Sequence, residues 1–143
     1  MTVEHILSDK GHAVVTIERD QTLGEAARLL AGRKIGAVVV SDGGGHVHGI
    51  LSERDIVRAL AEHGAAATEI KVGDRMTERV VTCTPRSGIN DVMEMMSQGK
   101  FRHVPVLEND RLAGIVSIGD IVKHRLAEVE AESRAMRDYI ATA

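Results

Sequence analysis

The segment Gly49-Ile50-Leu51-Ser52-Glu53-Arg54-Asp55-Ile56-Val57 returns as Gly114-Ile115-Val116-Ser117-Ile118-Gly119-Asp120-Ile121-Val122, an offset of 65 from Gly49 to Gly114. Self-similarity at a fixed period commits both halves of a chain to one local structure. In each copy an apolar run stops at a serine, an aspartate follows three positions on, and an apolar pair begins a helical stripe. That pattern predicts a strand entering a helix.

The repeat extends toward the N-terminus of each half. Val80-Val81-Thr82-Cys83 matches Val14-Val15-Thr16-Ile17 at an offset of 66, and Ile89, Val92, Met93 and Met96 match Leu23, Ala26, Ala27 and Leu30 at the same offset. The offset falls to 65 only across a hairpin turn, where Glu108-Asn109-Asp110 is one residue shorter than its counterpart. Insertions collect in surface turns, so this slip supports the alignment.

Taken in order, Thr2 to Gly11 carries Val3, Ile6 and Leu7 on one helical face and ends on a glycine, as a short packing arm would. Ala13–Ile17 reads as a β-branched strand. Thr22 and Glu25 have the spacing of a capping box, ahead of a helical stripe through Leu30. The apolar run Ile35–Val40 suits a strand buried on both faces, and Asp42-Gly43-Gly44-Gly45 turns the chain into a return strand, His46–Leu51. Ser52 begins the next helix, with Ile56, Val57 and Leu60 as its apolar stripe. Residues 1–12 are thus an arm, 13–64 and 80–127 the two repeats, 65–79 a linker and 128–143 a helical extension.

These units predict an α/β (α+β) fold: two βαββα repeats packed sheet to sheet with pseudo-twofold symmetry, and a long C-terminal helix. Strands joined through a helix should be parallel with a right-handed crossover, and the hairpin adds an antiparallel strand. One unit is too small to bury its apolar face alone, and ligand clefts are expected where the halves meet. In the extension, Leu126, Val129, Ser133, Met136 and Ile140 are spaced 3, 4, 3, 4. That seam fits either a coiled-coil contact in a dimer or a tail packed on its own domain.

A net charge of −3 and aromatics at 1% leave neither the basic footprint nor the stacking platform of a nucleic-acid binder. Cys83 is the only cysteine, which excludes an intramolecular disulfide and suits a reducing compartment. No apolar run has the length of a signal peptide core or a membrane span, so a cytoplasmic, non-membrane protein is expected.

The Ser-x-x-Asp pairs have a plain structural role, in which Ser52 and Ser117 cap a helix while Asp55 and Asp120 close the box. The same place also has chemistry to offer. A helix N-terminus presents free N–H groups and the positive end of a dipole to a phosphate, and a carboxylate on its first turn can accept both hydroxyls of a ribose.

The tandem repeat, the two Gly-Ile-(Leu/Val)-Ser-x-x-Asp-Ile-Val motifs, the connector Val72-Gly73-Asp74-Arg75-Met76-Thr77 and the strand Phe101-Arg102-His103-Val104-Pro105-Val106 together resemble a pair of CBS domains. The resemblance covers the chain from about Val3 to the final helix. It implies a Bateman module: two βαββα halves, dimerised into a disc, binding adenosine compounds such as AMP, ADP, ATP, NAD(H) or S-adenosylmethionine and reporting to a protein partner that the sequence does not identify. It implies that Ser52 and Asp55 hold phosphate and ribose in one site, and Ser117 and Asp120 in a second. The adenine would lie against Thr16, Ile17, Ala37 and Val38 in one half, and against Thr82, Cys83, Thr84, His103, Val104 and Pro105 in the other.

Arg102 and His103 align with Gly36 and Ala37, so the halves are unequal where a ligand would bind. Arg102 suits bidentate phosphate contact, His103 could add a pH-dependent charge, and Arg54 is a weaker phosphate candidate. Two sites of different affinity are expected, the second favoured for phosphate. Catalysis by Cys83 with His103 or His124 lacks an accompanying oxyanion or acid-base group, so no enzyme and no catalytic cofactor is expected. His46-Val47-His48 lacks a third ligand for a metal. The competing expectation is a protein-interaction or dimerisation module without a physiological nucleotide.

Overall fold

The computed structural model describes residues 1–142. In the first repeat β1 (Thr16–Ile17) runs parallel to β2 (Ala37–Val40) through helix α2 (Leu23–Arg33), and β3 (Gly49–Ser52) pairs antiparallel with β2. All four residues of β2 are buried, as a central strand covered on both faces requires. At the start of α2 the Thr22 hydroxyl accepts from Glu25 N at 3.2 Å. The return half of the expected capping box is missing, because the Glu25 carboxylate accepts from Gln21 Nε2 at 2.9 Å instead. The following hairpin turns on Gly43 (φ 89°) and Gly45 (φ 84°), conformations that glycine adopts without a Cβ clash. Helix α3 (Glu53–His63) closes the repeat.

The second repeat has α4 (Ile89–Gly99), then the antiparallel pair β4 (His103–Glu108) and β5 (Arg111–Ser117), then α5 (Ile118–Thr142). Asn109 and Asp110, both at positive φ, make its two-residue turn. The expected strand Val80–Cys83 is reduced to one parallel bridge, Cys83 to Val106. Cys83 N donates to Pro105 O at 3.1 Å and Leu107 N to Cys83 O at 2.8 Å. The next rung toward Val81 would need an N–H from Pro105, which has none. The first repeat forms that rung, Val39 N to Val15 O at 3.4 Å, yet even there the regular strand shortens from Ala13–Ile17 to two residues.

The arm and the connector are exchanged between repeats. Helix α1 (Val3–Lys10) buries Val3, Ile6 and Leu7 in the core of the second repeat, with Cys83, Ile89, Val104 and Val116. The connector places Val72 and Met76 in the core of the first, with Ile17, Leu23 and Leu51. Hydrogen bonds repeat the exchange: Val3 N to Ser87 O at 2.9 Å corresponds to Val72 N to Gln21 O at 2.8 Å. Two glycines of the motif admit these segments. A Cβ on Gly114 would lie 2.7 Å from Leu7 Cδ2, and one on Gly49 2.6 Å from Met76 Sδ. Val3 to Ser8 therefore corresponds to Val72 to Thr77, a match at an offset of 69 that the sequence pattern alone did not display.

Helices α3 and α5 depart from expectation. The stripe Ile56, Val57, Leu60 predicts burial, but Val57 is 61% and Leu60 44% exposed, and only Ala59 is buried in α3. In α5 only Ile121 is buried, and the seam residues Leu126, Val129, Met136 and Ile140 all stand in solvent. The seam is thus not buried on its own domain, and the start of the tail touches it only on another face, where Glu128 lies 3.8 Å from the Met1 ammonium.

Candidate functional site

The two motifs fold as the sequence requires. Ser52 N donates to Asp55 Oδ2 at 2.9 Å, the Ser52 hydroxyl to the same oxygen at 3.2 Å, and Asp55 N to Ser52 Oγ at 3.4 Å. Ser117 N donates to Asp120 Oδ2 at 2.9 Å and Asp120 N to Ser117 Oγ at 3.2 Å. Both are reciprocal caps, so the structural role of each pair is met. Each motif is also tied to the strand beside it. Glu53 N donates to Gly36 O at 3.0 Å, and Ile118 N to Arg102 O at 2.8 Å. The head of each hairpin is thereby fixed over a helix N-terminus.

A cleft of about 630 Å³ opens between the repeats at the first motif. Ser52 at the end of β3 and Arg54, Asp55 and Arg58 of α3 line it with Gly36 and Ala37, with Thr77 and Arg79 of the connector, and with Val80, Val81 and Gly99 to His103 of the second repeat. Its charge is unlike that of the chain as a whole. Arg54, Arg58, Arg79, Lys100 and Arg102 face Glu53 and Asp55 there, in a protein whose net charge is −3. Low-dielectric walls with an excess of one sign of charge concentrate oppositely charged ligands, here polyanions. The cleft couples that cationic rim to two carboxylates, Glu53 and Asp55, on the first turn of α3.

The sequence profile of the CBS domain matches residues 3–62 and 70–127. The chain belongs to the CBS-domain family. A CBS-domain containing protein from Agrobacterium tumefaciens has the same fold at a TM-score of 0.85 and 52% identity, over 87% of this chain and 99% of that one. The CBS domain pair of protein MJ0100, solved with 5′-methylthioadenosine and S-adenosyl-L-methionine, aligns at a TM-score of 0.79 and 26% identity, over 90% of this chain and 98% of that one. Among curated relatives, the Arabidopsis thaliana CBS domain-containing protein CBSX3, mitochondrial, is 31% identical over 97% of this chain and 71% of its own length. No helix among the described residues is long and apolar enough to cross a membrane.

Within this CBS pair the expected ligand residues divide into three groups. Ala37, Ser52, Arg54, Asp55, Arg102 and His103 all line the one cleft, so the residues of the second strand head join the first motif. Ile17, Val38, Cys83, Val104 and Pro105 are buried; the first four belong to the two cores. Thr16 and Thr84 are exposed and Thr82 half-buried, none of them on this cleft. Ser117 and Asp120 likewise do not line it. Arg58, Arg79 and Lys100 are additional cations that sequence reasoning missed. Lys100 ends α4 in the left-handed conformation (φ 57°), as Lys34 ends α2 (φ 56°), a repeated feature that could have drawn attention to it.

The second motif carries a partner that the sequence did not announce. Lys10 Nζ lies 2.8 Å from Asp120 Oδ2 and 3.0 Å from Ile115 O. Burial would raise the Asp120 carboxyl, but the Lys10 ammonium and the Ser117 N–H outweigh it and hold the group below the usual range. Burial pushes the Cys83 thiol up to about 11, so it stays protonated in the core. Of the histidines named for other chemistry, His124 Nε2 lies 3.4 Å from Asp9 and His48 Nε2 3.1 Å from Asp42.

His103 stands between the motifs. It pairs with Ser117 across β4 and β5, and a Cβ on Gly36 would come within 3.3 Å of its ring. Burial and the Lys10 ammonium lower its pKa below the ordinary 6.5, only partly opposed by the carboxylates of Asp120 and Glu53. The imidazole is therefore neutral at pH 7, a hydrogen-bonding group rather than a standing charge. The unfolded chain takes up this proton near 6.5 and the folded chain at lower pH, so the stabilisation is complete above 6.5 and is lost as pH falls through the interval beneath it. His103→Gln should flatten that part of the profile. Melting temperatures from pH 7.5 down to 5 check this, and an unchanged acid slope in the variant would refute it.

Proposed function

We propose that this CBS pair is a regulatory module that binds an adenosine nucleotide in the cleft at Ser52 and Asp55, acts without catalysis, and passes the ligand state to a protein partner through a homodimer. The observation that carries this reading is the joining of the Asp55 carboxylate at a helix N-terminus to a cationic rim. Asp55 matches a ribose diol, while Arg54, Arg58 and Arg102 match phosphates, Arg102 with bidentate geometry available to it. The rim favours ATP and ADP over S-adenosylmethionine, whose sulfonium would enter a positive field. Support for an adenosine ligand comes also from MJ0100, whose CBS pair was solved with two adenosine compounds.

A ligand in this cleft touches both repeats and the connector at once. It can favour one relative placement of them only to the extent that it binds that placement better, and a partner reads the result. Val57 on α3 and Val122 on α5 are equivalent by the repeat, and with the exposed Leu60 and Leu126 beside them they offer a second copy of the chain an apolar face. The same face favours a second reading, a dimerisation module that needs no nucleotide.

A thermal-shift panel of ATP, ADP, AMP, NAD, NADH and S-adenosylmethionine separates the two. A ligand held at 100 times its dissociation constant stabilises the chain by about 2.7 kcal/mol, a rise of several degrees at this size. The expected order has ATP and ADP at the top. If no compound moves the transition, the nucleotide reading fails and the dimerisation reading replaces it.

A further inference from the structure

At the offset of 69 Lys10 corresponds to Arg79, which lines the first cleft but forms no ion pair with Asp55 among the described residues. The arm and the connector correspond through Ser8 and Thr77, but five residues then separate Ser8 from Val14 where two separate Thr77 from Val80. The longer spacer lets the arm form an eight-residue helix, where the connector makes only the short turn Val72–Asp74. It also sets an ammonium on the carboxylate of the second motif. Asp55, the equivalent carboxylate, forms no ion pair among the described residues, and Arg75 of the connector is instead bonded to Glu62.

The inward oxygen of the second carboxylate is already engaged. Asp120 Oδ2 accepts from Ser117 N at 2.9 Å and from Lys10 Nζ at 2.8 Å. The Lys10 side chain is 34% and that of Asp120 24% exposed, so the pair lies at the rim of the protein, partly open to water. A charge-assisted bond is stronger than one from a neutral sugar hydroxyl. Lys10 also donates to Ile115 O at 3.0 Å, which anchors it to β5 beside the motif.

We infer that Lys10 is a built-in occupant of the second motif, standing where a ribose diol would bind, so that the chain loads one nucleotide, at Asp55, and the second site opens only when Lys10 leaves. Lys10 is thus the residue that sets how many nucleotides a chain takes. Its departure also releases the end of α1 from β5. This inference rests on the nucleotide reading for its ligand class, but the ion pair itself can be tested without any nucleotide.

Calorimetric titration with ATP of the wild type, Lys10→Met, Asp55→Asn and the double variant tests it. Met keeps the stem of the side chain and removes the charge. The expected stoichiometry is one ATP per chain for the wild type and two for Lys10→Met, while the double variant keeps the second site and shows the first weakened as in Asp55→Asn. Two equivalent sites in the wild type, or no gain in Lys10→Met, overturns the inference. If the wild type binds no ATP while Lys10→Met gains one site, the reading of the first cleft fails and the role of Lys10 stands. If neither binds, both fall. Amine labelling followed by mass spectrometry provides the ligand-free check, and it serves even where Lys10→Met folds poorly. Lys10 should react several-fold faster in Asp120→Asn than in the wild type, and equal rates would show that no ion pair protects it.

Discussion

Asp55→Asn should weaken ATP binding roughly ten- to a hundredfold while leaving the melting temperature of the free protein within a few degrees of the wild type. A hydrogen bond to a charged group contributes about 1.5–3 kcal/mol, and this substitution removes the charge that two ribose hydroxyls would share. The helix cap survives, because the Asn carbonyl oxygen can still accept from Ser52 N, which now donates to the carboxylate at 2.9 Å. That separation of roles makes the experiment decisive. Calorimetry reads the affinity and a melt reads the cap, and unchanged affinity would show that Asp55 does no more than close α3.

The second large effect concerns the proposed dimer. Val57→Glu combined with Val122→Glu should convert a particle of twice the chain mass into a monomer of 15.4 kDa, read by sedimentation or light scattering. In the isolated chain Val57 is 61% and Val122 46% exposed, so a carboxylate at either position remains in water and the fold should not suffer. In a helix-to-helix interface the same two carboxylates would be buried without partners, at a cost of several kcal/mol each. Substitution on both repeats matters because Val57 and Val122 are equivalent by the repeat. Retention of the dimer mass in the double variant would place the contact elsewhere, with the exposed seam of α5 the next surface to alter.

The repeat made most of the fold legible. Helix and hairpin positions followed from Ile89–Met96 matching Leu23–Leu30 and from the two Ser-x-x-Asp junctions, since a period shared by two halves removes much of the ambiguity of short apolar runs. The details that escaped depend on partners distant in sequence. Pro105 removes a rung that Val80–Cys83 needed, but only the register of β4 shows which residue would have used it. The exposed faces of α3 and α5 read as core because an apolar stripe has the same pattern whether it faces its own sheet or another molecule. The site was half legible. Asp55, Arg54 and Arg102 were visible because they sit in or beside the motif. Arg58, Arg79 and Lys100 come from a helix flank, a connector and a helix end, and no spacing links them. The pairing of Lys10 with Asp120 spans more than a hundred residues, beyond anything periodicity reports.

The exchanged arms also have a consequence for the order in which the molecule can be assembled. As the chain is made, α1 appears first, yet the wall that receives Leu7 is β5 at Arg111–Ser117, among the last strands to emerge. The first repeat, by contrast, meets its own cover as soon as Met76 has been added. The N-terminal half should therefore be able to collapse early, while Val3, Ile6 and Leu7 wait uncovered for the other end of the chain. Closing a contact of that sequence separation is slow, and apolar surface exposed in the interval invites association between nascent chains. A separately expressed second repeat would meet the complementary problem, since it would carry a groove at Gly114 and no helix to fill it.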